Sequence, residues 1–435
     1  MLKGGEWVVH VAHVREVTPE WVAAATGGRL HPGGRPVRDL HWDSRQVAPG
    51  GLFVALPGAR VHGRAFAGEA LERGAHLLLS DRPGWATVEV ANPYRALLRL
   101  GRALRDLFPG PVVAVGGSTG KTTTKEALAQ ALGFPAPPGN QNTAPPLARH
   151  FLGLDPRAPG TVVELGVDRV GEMAELMALA RPHLAVLTAL GEEHLLAFGD
   201  LEGVVREEAG LLQAPEALVS LQAQEVLRAF GHGSFLTYGF GEATFPGEGL
   251  ELLPEGSRFR YRGLPVRVPY PGLGPALGAL AALAVGEVLG KDLKEVAERL
   301  AALTLPPGRM ERQERGGVVF LNDAYNANPL SVEAGLRWLA AQPGRKWAVL
   351  GEMRELGEEA PRLHLRVAEA AARLGLRPLY LGPHAEAQAA LGGEAAGSLE
   401  EALRWLKARV APGDLVYLKA SRALGLERIL ELWDA

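Results

Sequence analysis

The segment Gly116-Gly117-Ser118-Thr119-Gly120-Lys121-Thr122-Thr123-Thr124 constrains this chain more than any other. It follows an apolar run at 112–115 that reads as a buried strand, and it opens a helix expected over 122–132. A glycine-rich turn in that position lets backbone N–H groups approach phosphate oxygens, and the helix N-terminus adds favourable partial charge. Lys121 is then placed to reach the β/γ-phosphates of ATP, and the Thr122 hydroxyl to ligate Mg²⁺. Gly117, Ser118, Thr119, Gly120 and Thr123 complete the expected ATP site. The strict pattern asks for glycine where Val115 stands, so the loop is a variant.

Such a loop belongs in an α/β fold, and the rest of the chain agrees. Thr18-Pro19-Glu20 reads as a helix start, with Thr18 as N-cap and Gly27-Gly28 as the stop. Strands are expected at 51–56, 76–79, 161–165, 184–188, 318–321, 347–350, 379–381 and 415–418, with helical stretches between them, including 94–107. Such alternation implies parallel sheets with helices on both faces. Pro109-Gly110-Pro111 and Leu305-Pro306-Pro307-Gly308 interrupt the pattern, since tandem prolines cannot continue a helix. A chain of 435 residues exceeds one ordinary core. These breaks divide it into three α/β domains, at 1–108, 109–308 and 309–435.

Composition excludes several classes of function. A net charge of -3 leaves no electrostatic footprint for nucleic acid or an anionic membrane. Without cysteine there is neither a disulfide nor a thiolate metal site. No apolar run is long enough to span a membrane, and the N-terminus lacks the apolar core of a signal peptide, so the expected location is the cytoplasm. The first dozen residues have no account. Asparagine is scarce and gathers at Asn140/Asn142 and at Asn322/Asn326/Asn328, which marks both segments for a local role.

Read as a unit, GSTGKTTTKE resembles the ATP loop of the Mur ligase family. Further segments match one branch of that family in order: DSR-x5-GLF-x-AL-x-G at 43–58, GN-x-N at 139–142, ELG-x4-GE at 164–172 and H-L-x2-FG at 194–199. PPGR at 306–309, LNDAYNANPLS at 321–331, LGEMRELG at 350–357 and LKASR at 418–422 continue the match. The resemblance implies an N-terminal UDP-binding domain, a central P-loop ATPase-like domain and a C-terminal Rossmann-like domain. It also implies a monomeric ligase that uses ATP and Mg²⁺ to join D-alanyl-D-alanine to UDP-N-acetylmuramoyl-tripeptide through an acyl phosphate.

The resemblance extends to single residues. Lys121, Glu164, His194 and Glu208 would be catalytic, and Thr122, Glu164, His194 and Glu208 would hold metal. Arg309, Asp323, Asn326 and Asn328 would join the ATP site from the last domain. Asp43, Ser44, Arg45, Asn140, Asn142, Lys419, Ser421 and Arg422 would contact substrate, and His364 lies on a helix that faces it in the family. Unaided, the Asp43–Arg45 tripeptide is equally a turn with its own ion pair, and His364 a helix-surface residue. The chain departs from the family at Thr143, Ala189, 62–64 and 271–278, and the last of these leaves the adenine contacts unnamed. Glu208 stands where the family carbamylates a lysine, and so offers either a carboxylate to a second Mg²⁺ or, with Arg206 and Glu207, a solvated helix face. A non-catalytic relative that binds ATP or the UDP-precursor, or a folylpolyglutamate-type ligase, is the alternative.

Overall fold

The structure, a computed structural model, describes residues 8–11, 14–58, 60–233 and 235–433. Most of the opening residues that have no account from sequence therefore lie outside it. Helix Pro19–Thr26 starts where expected: the Thr18 side chain accepts from Trp21 N, and Gly27 closes the helix at a φ of 69°. A cap of that kind stabilises by about 1 kcal/mol.

The first domain is a five-stranded sheet in the order Arg29–Leu30, Thr87–Glu89, Leu77–Ser80, Gly51–Val54, Asp39–His41. Only its first pair is antiparallel. Helix Pro93–Asp106 bridges onward. It packs on Pro19–Thr26 and also on Ala144–Gly153 and Glu172–Ala180 of the next domain. Gly101 permits the approach, since a Cβ there would meet Leu179 at 2.8 Å. The junction is pinned by Arg149, whose Nε and NH2 donate to the two oxygens of Asp39 at 2.7 and 2.8 Å.

The central domain holds a six-stranded, fully parallel sheet in the order Phe245–Pro246, Leu236–Gly239, Glu216–Ser220, Leu184–Leu187, Val112–Gly116, Thr161–Glu164. Val112–Gly116 is buried throughout, as an inner strand covered on both faces must be. Helix Leu273–Val288 crosses helix Lys121–Leu132 closely, with Gly278 against Thr124. A three-stranded antiparallel sheet over Glu248–Leu253, Gly256–Tyr261 and Leu264–Val268 adds a feature that strand–helix alternation does not announce.

The last domain is a six-stranded sheet in the order Glu311–Arg315, Val318–Asn322, Leu415–Lys419, Lys346–Leu350, Leu379–Leu381, Glu394–Ala396, parallel except at its first edge. One apolar core runs through all three domains. Among the described residues, no helix is long and apolar enough to cross a membrane.

Candidate active site

The nucleotide-type loop sits at the carboxyl end of Val112–Gly116, the end at which parallel α/β sheets hold ligands. Gly117 takes a φ of 119°, and a Cβ there would lie 2.5 Å from Thr188 Oγ1, so the position requires glycine. Gly120, at 84°, opens helix Lys121–Leu132. The segment after Leu184–Leu187 holds the loop from the side. Ser118 N donates to Ala189 O at 2.6 Å, and Ser118 Oγ pairs with Gly191 N and O at 3.0 Å each. Thr188 Oγ1 reaches Thr119 O at 2.7 Å.

Charge concentrates beneath the loop. Lys121 Nζ donates to Gly117 O and stands 3.6 Å from Glu193 Oε2. Glu208 Oε2 accepts the Gly117 N–H at 2.8 Å. Glu164 accepts from Thr122 Oγ1 at 2.8 Å and from Asn142 Nδ2 at 2.9 Å. Burial works against the charge on Lys121, but Glu193, Glu208 and Glu164 overcome it and raise the pKa. Burial raises Glu193 to about 8 against the pull of Lys121, with Glu208 adding repulsion. Glu208 is likewise raised by burial, which Lys121 and the Gly117 N–H offset only in part.

Glu208 is not part of a solvated face. It is fully buried at the end of helix Leu201–Glu208, and Glu207 is buried beside it, accepting from Gly171 N and Met173 N. Only Arg206 faces solvent, paired with Glu202. Backbone N–H groups of neighbouring segments draw both carboxylates inward. Glu208 Oε1 has no hydrogen-bond partner.

The C-terminal domain reaches the same place. Arg309 NH2 donates to Thr122 Oγ1 at 2.9 Å, and its guanidinium lies 4.1 Å over the Tyr325 ring. Asn328 caps helix Pro329–Ala341 and also donates from Nδ2 to Ser118 O at 3.2 Å. Asp323 and Lys419 form a partly buried ion pair at 2.6 Å, and Lys419 also donates to Asn326 O, so these three residues shape their own loop. Asn326 Oδ1 accepts from Ala327 N. Ser421 Oγ accepts from Arg354 N, while Arg422 is exposed, 5.4 Å over Tyr325. His194, at a φ of 47°, has Nδ1 2.6 Å from Glu355 Oε2 and Nε2 3.9 Å from Glu193 Oε2. Arg366 completes the contact between domains on Glu192, at 2.6 and 3.2 Å.

Of the remaining candidates, Asn142 joins this cluster through Glu164, and the others lie apart from it. Asp43 caps the short turn Ser44–Gln46 and binds Arg45 through both oxygens, while Ser44 Oγ donates to Glu69 at 2.7 Å. Asn140 is exposed; Asn142 reaches Glu164. His364 is neither a surface residue nor open to a ligand. It is buried, with Nε2 accepting from Met353 N and Nδ1 beside Ala360 O, and so it holds the loop that carries Glu355.

Three further residues of this site were not visible as such from sequence. Glu193 was masked by its neighbour His194. Lys125 is buried and donates to Pro137 O and Gly139 O at 2.6 Å, which fixes the asparagine-bearing loop. Arg366 looks like any helix arginine until the domains meet.

No three His, Cys, Asp or Glu among the described residues are grouped to hold a metal ion by themselves. Mg²⁺ asks for less, since it commonly takes one or two carboxylates and completes its shell with waters and phosphate oxygens. The oxygen donors here suit it: Thr122 Oγ1, Glu164, and the unpartnered Glu208 Oε1.

Comparison with known proteins identifies the family of the whole chain. Three family models match: "Mur ligase family, catalytic domain" over 37–99, "Mur ligase middle domain" over 115–286, and "Mur ligase, glutamate ligase domain" over 308–422. A curated UDP-N-acetylmuramoyl-tripeptide–D-alanyl-D-alanine ligase from Treponema pallidum is 32% identical, over 94% of this chain and 97% of its own. Among solved structures, MurF from Acinetobacter baumannii superposes with a TM-score of 0.89 at 27% identity, covering 97% of this chain and 100% of that one. MurF ligase from Thermotoga maritima, solved in complex with ADP, gives 0.81 at 30% identity, covering 92% and 97%.

Proposed function

Because this chain belongs to the Mur ligase family, we infer that it is an ATP-dependent ligase joining D-alanyl-D-alanine to UDP-N-acetylmuramoyl-tripeptide in peptidoglycan synthesis. The carrying observation is the match, over nearly its whole length, to a ligase of that one activity. The chemistry asks two anions, a carboxylate and a γ-phosphate, to meet. The site supplies cations where they would do so: Lys121 beneath the loop and Arg309 beside Thr122.

In this account a carboxylate oxygen of the tripeptide attacks the γ-phosphorus, and the bond to ADP breaks. The dipeptide amine then attacks the acyl carbon, loses a proton, and phosphate leaves. Lys121 balances the charge on the transferring group. Ser118, held from both sides, keeps the loop amides fixed, and Asn328 ties the last domain to that loop. Thr122, Glu164 and Glu208 would hold Mg²⁺, which when bound neutralises phosphate charge. His194, locked to Glu355, would reach the metal only after that contact loosens. Asp43, Ser44 and Arg45 would bind the UDP end, and Arg422, exposed beside Tyr325, a substrate carboxylate.

The test is ADP release by the purified protein. It should require both UDP-N-acetylmuramoyl-tripeptide and D-alanyl-D-alanine. Turnover with a folate and glutamate, or equal turnover without the dipeptide, would overturn this function.

A further inference from the structure

The mechanism leaves the buried carboxylate beside Lys121 unused. Glu193 lies after the turn at Gly191, with a side chain only 8% exposed, and its Oε2 stands 3.6 Å from Lys121 Nζ. Its other close ionisable neighbour is His194, at 3.9 Å, while Glu208 acts on it through space. Two donors that a nucleotide phosphate would engage are thus already satisfied by the protein. The Gly117 N–H is taken by Glu208, and the Lys121 ammonium is shared between Gly117 O and Glu193.

A phosphate entering this loop must displace those acceptors or accept their negative charge at close range. In a buried site such repulsion is weakly screened. We propose that Glu193 is a positioning residue that holds Lys121 back on the loop and competes with nucleotide for it, so that phosphate binding moves the ammonium off Glu193. Glu193 gives the Lys121 ammonium a partner in the empty site, at the cost of weaker nucleotide affinity. Glu208 cannot be the sole competitor, because it engages the amide rather than the ammonium.

The experiment compares ADP binding to the full-length protein and to Glu193→Gln, by calorimetry in EDTA so that metal ligation does not enter. Glutamine has the same shape, so the packing around Lys121 is retained. The dissociation constant for ADP should fall on the order of tenfold in the variant, because a like charge facing the phosphates is gone. Adenosine, which lacks phosphates, should bind both proteins alike, a result that a general change in packing would not give. Unchanged or weaker ADP binding by Glu193→Gln, or an equal gain for adenosine, would overturn the proposal. The measurement needs no turnover, so its outcome is independent of whether the acceptor substrate has been identified correctly.

Discussion

The nucleotide loop and the Asp43–Arg45 turn are both short polar motifs, yet their side chains are held in opposite ways. In the turn, Asp43 binds a residue two positions away, Arg45 is largely exposed, and Ser44 alone reaches outside, to Glu69. In the loop, partners come from far along the chain: Thr122 meets Glu164 and Arg309, Gly117 meets Glu208, and Ser118 meets Asn328. A motif closed on itself keeps its shape without the rest of the fold and leaves its outer groups free for a ligand. A motif held by distant buried groups depends on the whole fold and concentrates charge where water cannot screen it.

The contrast can be broken by mutation, most strongly at the loop. Lys121→Ala should lower kcat by about a hundredfold or more with the fold intact, the usual cost of removing a preorganised electrostatic contact. A purified variant with near wild-type turnover would remove the loop from the active site. Glu208→Gln should come next, with a drop on the order of tenfold in turnover and a raised Mg²⁺ requirement, because Oε1 is the oxygen left free for a metal. Activity of the wild type should not depend on CO₂, since glutamate needs no carbamate. Unchanged Mg²⁺ dependence in Glu208→Gln would reduce this residue to an anchor for Gly117.

A third test uses another long-range contact. Burial opposes ionisation of Asp39, but hydrogen bonds from His41 and Arg149 overcome it and hold its pKa below the usual 3.8. Such a group contributes stability above the unfolded-state value and loses it as pH falls through the folded one. Arg149→Ala should therefore lower stability by about 1 kcal/mol at pH 7, with the difference from wild type shrinking below pH 3.8. A difference that grew in acid would contradict the pairing. The smallest stability effect is expected at the self-contained turn. Arg45→Ala should leave stability essentially unchanged. It should nevertheless raise KM for the UDP substrate, while a shift in KM for ATP alone would place the turn elsewhere in the reaction.

Much of this was legible in the sequence for the same reason that the turn is self-contained. Local signals such as Thr18 before Pro19, or Gly-Lys-Thr after an apolar strand, depend on neighbours within a few residues. Glu164 could be found because it ends a strand at a motif's spacing. Glu193 and Arg366 could not, because their partners are 72 and 174 residues away, and nothing in a linear pattern says which charges will be buried together. Glu208 shows the limit most clearly. Its run of Arg206, Glu207 and Glu208 looks like a solvated face, and only the approach of Gly117 and Gly171 turns two of the three inward. The antiparallel sheet at 248–268 was hidden for a different reason: its strands alternate exposed charges with buried apolar residues, and carry none of the buried runs that mark a parallel sheet.

If ATP activates a substrate carboxylate before the amide bond forms, an isotope transfer will report it. A tripeptide substrate labelled with ¹⁸O in its terminal carboxylate would be turned over with D-alanyl-D-alanine and ATP, and the released phosphate analysed by mass spectrometry. If the carboxylate attacks the γ-phosphorus, one labelled oxygen leaves with each phosphate. Phosphate free of label, alongside formation of the amide product, would contradict the account.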